Sequence, residues 1–247
     1  MSIDLSTSKR DAILRLLSVG ERGDGRSALD ARPVHLTRLS SGAVEARLGE
    51  TIVVATVAVA VVEPKKARPA EGSLLFRVEV GVPSGSKLSG KLARDKAAEL
   101  GALLEFSIRG SRALDTESLC IQTGKLSWEV SIEVSVIACE GNLVDTACLA
   151  ALAALARASR PRATASHGKP CFDFAKSQNF ALNHLPLPIS FAVFGEPLPE
   201  TMVLRDPNSE EELAAGGRLS LFVNRFGDLC GVQKAGKAGI PPELFFR

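Results

Sequence analysis

The chain has 247 residues, 45% of them hydrophobic and 23% charged, and a formal net charge of only +2. That length suits one large domain or two tightly fused halves and can bury a sizeable core. The near-neutral balance excludes a polycation binding nucleic acid through bulk charge, so any such contact must come from local clusters.

Residues 6–19 read as a helix with Ile13, Leu14, Leu16 and Leu17 on its apolar side. No uninterrupted apolar core of signal-peptide type precedes it. The charged, glycine-rich segment 21–26 reads as a loop, by itself a solvated linker. Three β-branched runs follow at 34–39, Ala43–Leu48 and Thr51–Val62, broken by Ser-Gly and Gly-Glu turns, which predicts an antiparallel meander. The third run is the most apolar in the chain, yet too short and too β-branched to cross a membrane as a helix, so a soluble, intracellular protein is expected. A proline-containing basic loop with Lys65, Lys66 and Arg68 leads to a fourth strand at 74–80. A glycine- and serine-containing loop at 81–90 precedes a helix at 91–109, whose apolar side is Leu92, Leu100, Leu103, Leu104 and Ile108. Lys87, Lys91 and Arg94 form a basic run around that helix start, where positive charge opposes the dipole.

The second half opens with a short apolar run at 117–121. From 126 to 139 the sequence alternates: Trp128, Val130, Ile132, Val134 and Val136 on one face, Ser127, Glu129, Ser131, Glu133 and Ser135 on the other. A period of two means a long half-buried strand. Glu140-Gly141 then turns the chain, and Asn142, with Asp145 three residues on, reads as a variant capping box opening a helix. Leu149, Leu152 and Leu155 repeat at helical spacing, and the alanines between them let that helix lie close to a sheet. Residues 160–177 read as polar and irregular. Strands resume at 188–194 and 201–204, a short acidic helix covers 208–214, and strands at 219–223 and 228–232 close the sheet. β-rich segments followed by helices, twice over, predict an α/β (α+β) two-layer sandwich with mixed pairing.

Five cysteines (Cys120, Cys139, Cys148, Cys171 and Cys230) show no CxxC spacing, which predicts buried reduced thiols rather than a disulfide framework or metal site. The three histidines lie far apart in sequence. With no tyrosine in the chain and Trp128 on the apolar strand face, base stacking finds no obvious platform.

The series DTESLC, long strand, then EGNLVDTACLAALAAL resembles the RNase PH-like family, and within it the ring subunits of the RNA exosome. Its asparagine, two apolar residues, aspartate and small-residue helix resemble the non-phosphorolytic branch. That branch holds the archaeal second ring subunit and its eukaryotic descendants of the 45-kDa ribosomal-RNA-processing type. RGDGR at 22–26, EG at 71–72, LPLPISFAVF at 185–194, DPNSEEE at 206–212 and GVQKAG at 231–236 extend the likeness over roughly 6–236. The resemblance implies an RNase PH-like fold, ribosomal protein S5 domain 2-like, over 27–247, preceded by an N-terminal helix and arm over 1–26 that packs on a neighbouring subunit. The chain stops at PPELFFR where the family carries another helix, which implies a shortened domain.

Active members of the family bind phosphate at the start of the helix after the long strand, with a Gly-Gly-Thr-Arg-Thr segment. Free N–H groups and the positive helix end attract the anion, and arginine adds a charged fork. Aligned from Gly141, this chain offers Asn142, Leu143, Val144 and Asp145. Two apolar side chains replace donors, and Asp145 puts a negative charge where phosphate would sit, a repulsion of about a kcal/mol or more at close range. Active members also carry an aspartate at the start of the strand after the acidic helix, which matches the region 214–218 here; close relatives in the non-phosphorolytic branch often have aspartate where this chain has Gly216, which can neither act as a general acid nor hold a metal. Asp206 and Glu210–Glu212 lie nearby in sequence, and read otherwise as charges on a short exposed helix.

The resemblance therefore implies a subunit with no catalytic residues, cofactor or metal. It implies paralogous RNase PH-like subunits and S1/KH cap subunits as partners, single-stranded RNA in a central channel, and no membrane. It further implies a role in 3′-to-5′ RNA processing and degradation, rRNA maturation included, and residence in the nucleus, nucleolus and cytoplasm. RNA contact falls first to Arg109 and Arg112 at the end of the long helix and second to Lys65, Lys66 and Arg68. The alternatives for these groups are helix-end cations and a solvated loop. Two other functions stay open: an active phosphorolytic exoribonuclease subunit with a displaced site, and a small-molecule kinase-like protein. The latter would need a phosphate loop, for which 81–90 is the one candidate and fits no standard spacing.

Overall fold

In the computed structural model, residues 5–81, 90–166, 169–196, 198 and 201–241 are described. Helix α1 (Thr7–Ser18) is capped by Ser6, whose hydroxyl accepts from the Lys9 N–H at 3.3 Å. Strands β1 (Val34–Ser40), β2 (Ala43–Leu48) and β3 (Thr51–Val62) form the expected antiparallel meander. Strand β4 (Ser73–Val80) leads towards helix α2 (Gly90–Leu104), which widens into a π-helical turn at Glu105–Gly110. A 3₁₀ turn (Glu117–Leu119), β5 (Cys120–Gln122), the long β6 (Leu126–Ala138) and helix α3 (Leu143–Arg157) follow. Then come β7 (Ser159–Ser166), β8 (Lys169–Asn179), β9 (Leu187–Phe194), β10 (Met202–Arg205), helix α4 (Ser209–Ala214), β11 (Gly217–Val223) and β12 (Leu229–Gly236).

The first sheet runs β1-β2-β3-β6-β4, with β5 added to the end of β6, and the second runs β10-β9-β11-β12. Helix α3 packs on β2, β3 and β6 of the first sheet and on β9 of the second. Its sequence explains that position. A helix apolar on one stripe covers one surface, whereas one apolar all round is buried on all sides. Ala147, Ala150, Ala151, Ala154 and Leu155 are each completely buried, and the alanines let backbone approach backbone from both sheets. On β6 the five apolar side chains of the alternating face, Trp128 through Val136, are all 5% exposed or less.

Strand β4 supplies the mixed pairing: it pairs in parallel with β6, because β6 already occupies the free edge of β3 and the basic loop carries the chain across to the far side. Two features depart from expectation. Residues 160–177 are not irregular: β7 and β8 form an antiparallel hairpin. That hairpin is held by backbone pairing, with several exposed side chains, so no period-two hydrophobic pattern announces it. Of the cysteines only Cys148 is fully buried; Cys139 and Cys171 are exposed and the other two half-buried, all five as free thiols. Alternation along a strand puts every second residue on the wet face, and strand context alone does not bury a thiol.

The alanine layer of α3 yields a stability prediction. Ala151→Leu, which adds three carbons between two sheets, is expected to lower stability by roughly 1–3 kcal/mol. A shift of the urea unfolding midpoint, with the slope preserved, is the measurement.

Candidate functional site

Strand β6 delivers the chain to the start of α3 through Gly141, which sits at φ +88°. A Cβ there would lie 2.4 Å from the Asn208 carbonyl carbon, so glycine is what allows the entry to α4 to press against the entry to α3. Asn142 follows in the left-handed region, φ 51° and ψ 46°. The expected capping box does not form, because that backbone turns the Asn142 side chain away from the first-turn N–H groups. Its Nδ2 donates instead to Asp145 Oδ2 at 2.9 Å and to Asp206 Oδ1 at 2.7 Å, while its backbone N–H donates to Glu212 Oε1 at 2.8 Å. A true capping box is found one helix later, where Asn208 and Glu211 cap α4 reciprocally.

Around this point lies a buried polar network. Asp145 accepts from the Ser190 N–H at 3.0 Å and from the Ser190 hydroxyl at 2.6 Å, and Ser190 also contacts the Ser220 hydroxyl at 2.9 Å. Asp206, only 2% exposed, accepts from Arg26 Nη1 at 2.8 Å, from Arg32 Nη2 at 2.8 Å and from the Arg32 backbone N–H at 2.8 Å. Arg22, 4% exposed, grips Glu211 with a two-pronged bond at 2.9 and 2.6 Å and donates to the carbonyls of Arg205 and Asp206. Burial works to raise the Asp206 carboxyl, but the bonds from Arg32 and Asn142 outweigh it and hold the group at about 2. Burial raises Asp145 and Glu212 above the usual carboxylate range despite the bonds they accept from Ser190 and Asn142.

Two expectations are corrected here. The segment 21–26 is no solvated linker, since Arg22 and Arg26 clamp it to the chain's own α4 and to Asp206. Asp206 and Glu211 are not surface charges on an exposed helix; both are buried and answered by arginines. Sequence reasoning missed Arg22, Arg26, Arg32 and Ser190. The signal available was the match of charge between RGDGR and DPNSEEE, two motifs that complement each other across most of the chain. Among the described residues no group of three or more His, Cys, Asp and Glu side chains is arranged to hold a metal ion. Gly216 offers only its backbone, whose N–H donates to the Val193 carbonyl at 3.0 Å. An anion approaching the start of α3 would meet Asp145, Asp206 and Glu212, so the chain's own carboxylates fill the place that positive helix ends otherwise offer to phosphate.

The basic residues gather at another corner. Gly72 N–H donates to the Thr116 carbonyl at 2.9 Å, which draws the segment after α2 against the end of the basic loop. Arg109 and the 65–68 loop thereby share one end of the first sheet. Arg109 is committed within the chain: it pairs with Glu105, donates to the Leu74 carbonyl and lies 5.7 Å over the Phe76 ring. Arg112 differs. It is exposed, in the left-handed region at φ 57°, and has no ion-pair partner among the described residues. Lys65 and Lys66 are exposed, and Arg68 pairs with Glu71 at 3.3 Å. Arg94 turns back on the Gly90 carbonyl at 3.0 Å, Lys91 is exposed, and Lys87 and residues 82–89 of the candidate phosphate loop lie outside the described residues.

Two sheets sharing a helical layer, with a strand, a glycine turn and a small-residue helix at the junction, define a mixed α/β protein of RNase PH-like fold. The chain belongs to the 3′ exoribonuclease family: the model for domain 1 of that family matches residues 31–161 and the model for domain 2 matches 184–247. Exosome complex component RRP45A of Arabidopsis thaliana is 35% identical over 227 residues, covering 89% of this chain and 73% of that protein. Exosome complex component RRP45B of the same plant is 35% identical over 226 residues, and there the chain spans about half, 51%, of the relative's length. Among solved structures, that of the Archaeoglobus fulgidus exosome with RNA bound to the active site superimposes with a TM-score of 0.82 at 26% identity, covering 97% of this chain and 91% of that one.

The depressed Asp206 carboxyl fixes a pH prediction. A carboxylate held below its unfolded value contributes stability that is complete above about pH 4 and is lost as pH falls towards 2. Asp206→Asn is therefore expected to cost on the order of 2–3 kcal/mol at pH 7 and the same at pH 5, with the two proteins converging only below about pH 4. Urea unfolding at these pH values is the check; equal stability at pH 7 would contradict it.

Proposed function

We propose that the chain is a non-catalytic ring subunit of an exosome-type assembly that guides single-stranded RNA during 3′-to-5′ processing and degradation, rRNA maturation included. The observation that carries this reading is the start of α3. There Leu143 and Val144 stand where active members have donors, and Asp145, Asp206 and Glu212 supply negative charge from within. Phosphorolysis needs inorganic phosphate at that place, where the donors that could hold it, Asn142, Arg26 and Arg32, are already taken up by the chain's own carboxylates.

Ring membership is supported by the names of the curated relatives and by the first sheet's edge. Every residue of β1 is exposed, including Val34, Leu36 and Leu39 at 44, 51 and 53%. An unpaired edge strand with apolar side chains in water is a surface awaiting a partner. Paralogous RNase PH-like subunits are the neighbours proposed, with S1/KH subunits as a cap. The compartments proposed are the nucleus, nucleolus and cytoplasm. RNA contact is assigned to Arg112, Lys65 and Lys66 as the freest cations, with Arg109 and Arg68 contributing less because each already has an internal partner.

Two outcomes test this reading. The purified chain, alone or in its ring with paralogues lacking activity, is expected to release no nucleoside diphosphates from short RNA in the presence of phosphate and magnesium. Release that co-purifies with the chain and rises with phosphate concentration would establish the phosphorolytic alternative. In fluorescence anisotropy with single-stranded RNA, Arg112→Glu combined with Lys65→Glu is expected to weaken binding and to flatten the dependence of log affinity on log salt by about 0.7 for each phosphate no longer neutralised. Arg109→Glu should do less, and base composition should matter little for these backbone contacts.

A further inference from the structure

Hairpin β7–β8 carries a feature that neither the fold nor the network above uses. Its register breaks: Pro161 faces Ser177 while Arg162 faces Asp173, so residues 174–176 of β8 oppose nothing on β7. A bulge of this kind re-aims side chains. The side chain it presents is Phe174, 81% exposed, the most exposed large apolar residue among the described residues. The bulge is tied down, since Asp173 accepts from the Ala175 N–H at 3.1 Å. Behind the exposed ring stands a run of aromatics. Phe174 tilts on Phe172 at 6.4 Å between centroids, and Phe172 meets Trp128 edge-on at 5.7 Å. Trp128 is buried on β6, opposite Val61 of β3. The exposed phenyl is thus the outer end of a stack rooted in the central strand.

Cations surround the same end of the first sheet. Trp128 lies just past the β5–β6 turn that holds Lys125, and the neighbouring Gly124 donates to the Pro69 carbonyl at 2.8 Å, which joins that turn to the loop of Lys65 and Lys66. Strand β5 packs on β7, which carries Arg162. Lys176 pairs with Asp173 at 3.6 Å and Arg68 with Glu71 at 3.3 Å. Lys65, Lys66, Lys125 and Arg162 are exposed and have no ion-pair partner among the described residues. A protein interface core is depleted in lysine and built from contiguous apolar surface. Here one exposed aromatic ring shares an end of the sheet with cations that have no ion-pair partner among the described residues, and a single strand is tracked by that combination: positive groups for phosphates and a ring for a base.

We propose that Phe174 is a stacking platform for an unpaired base of single-stranded RNA, whose phosphates meet Lys65, Lys66, Lys125 and Arg162. This rests on the RNA-guiding reading above and adds a base-contacting element to it. Stacking tolerates any base, so the contact gives grip without sequence reading.

The test uses the chain assembled with its ring partners, a short fluorescent oligoadenylate, and an abasic ribose-phosphate oligomer of equal length. Phe174→Ala is expected to weaken oligoadenylate binding about 5- to 150-fold, to leave abasic binding unchanged and to leave the salt slope unchanged. Phe174→Leu should behave as the alanine variant and Phe174→Tyr as the parent, which separates stacking from mere apolar contact. Thermal melting controls for folding. Unchanged oligoadenylate affinity in Phe174→Ala overturns the platform, as does equal loss with both probes. Dispersal of the ring by Phe174→Ala in light scattering, with RNA affinity intact, would make the bulge a protein contact instead. If Arg112→Glu with Lys65→Glu weakens binding and Phe174→Ala does not, the platform alone fails; if the parent binds neither probe at low salt, the RNA-guiding reading fails with it.

Discussion

The Asp206 carboxylate is the tie on which the arrangement of the molecule depends. It accepts from Arg26 of the N-terminal arm, from Arg32 just ahead of β1 and from Asn142 at the start of α3, and it stands between β10 and α4. Burying such a charge alone would cost several kcal/mol, and only a full set of donors offsets it. The geometry that supplies them has its own cost: Asp206 and Asn142 both sit in the left-handed region, at φ 50° and 51°. Asn and Asp are the non-glycine residues that tolerate this backbone best, so the chemistry of the site and the identity of its residues are one constraint.

Helix α3 carries that tie into the core. Its first turn belongs to the polar network, and its remaining turns are alanine and leucine pressed between two sheets. The order imposed at Asn142 is therefore transmitted to β2, β3 and β6 on one side and to β9 on the other by packing rather than by charge. The sharp change from polar to apolar within one helix places the site at the junction of the halves without an opening in the core.

What can be read from the sequence divides along physical lines. β2 and β3 are legible to the residue, and the buried face of β6 to the side chain, because period-two burial leaves a local trace. The β7–β8 hairpin leaves none, since backbone pairing fixes no side-chain pattern. The arginine network is invisible for a different reason: its partners stand 174 to 189 residues apart, and long-range charge complementarity has no period. The start of α3 shows both sides of this. Leu143, Val144 and Asp145 reveal that the anion site is altered, while the role of Asn142 as a donor to carboxylates depends on a backbone angle that no motif encodes.

The network also constrains how the chain could change over generations. Losing Asp206 leaves the part-buried Arg32 without its ion-pair partner and Arg26 with Asp24 alone, and losing those arginines leaves Asp206 buried without its charge partners. Restoring a donor at Leu143 or Val144 alone places it before three carboxylates already engaged. Each single step towards an open anion site passes through a less stable protein, so the present arrangement behaves as a ratchet, in which a site once filled by its own side chains is held shut by the epistasis among them.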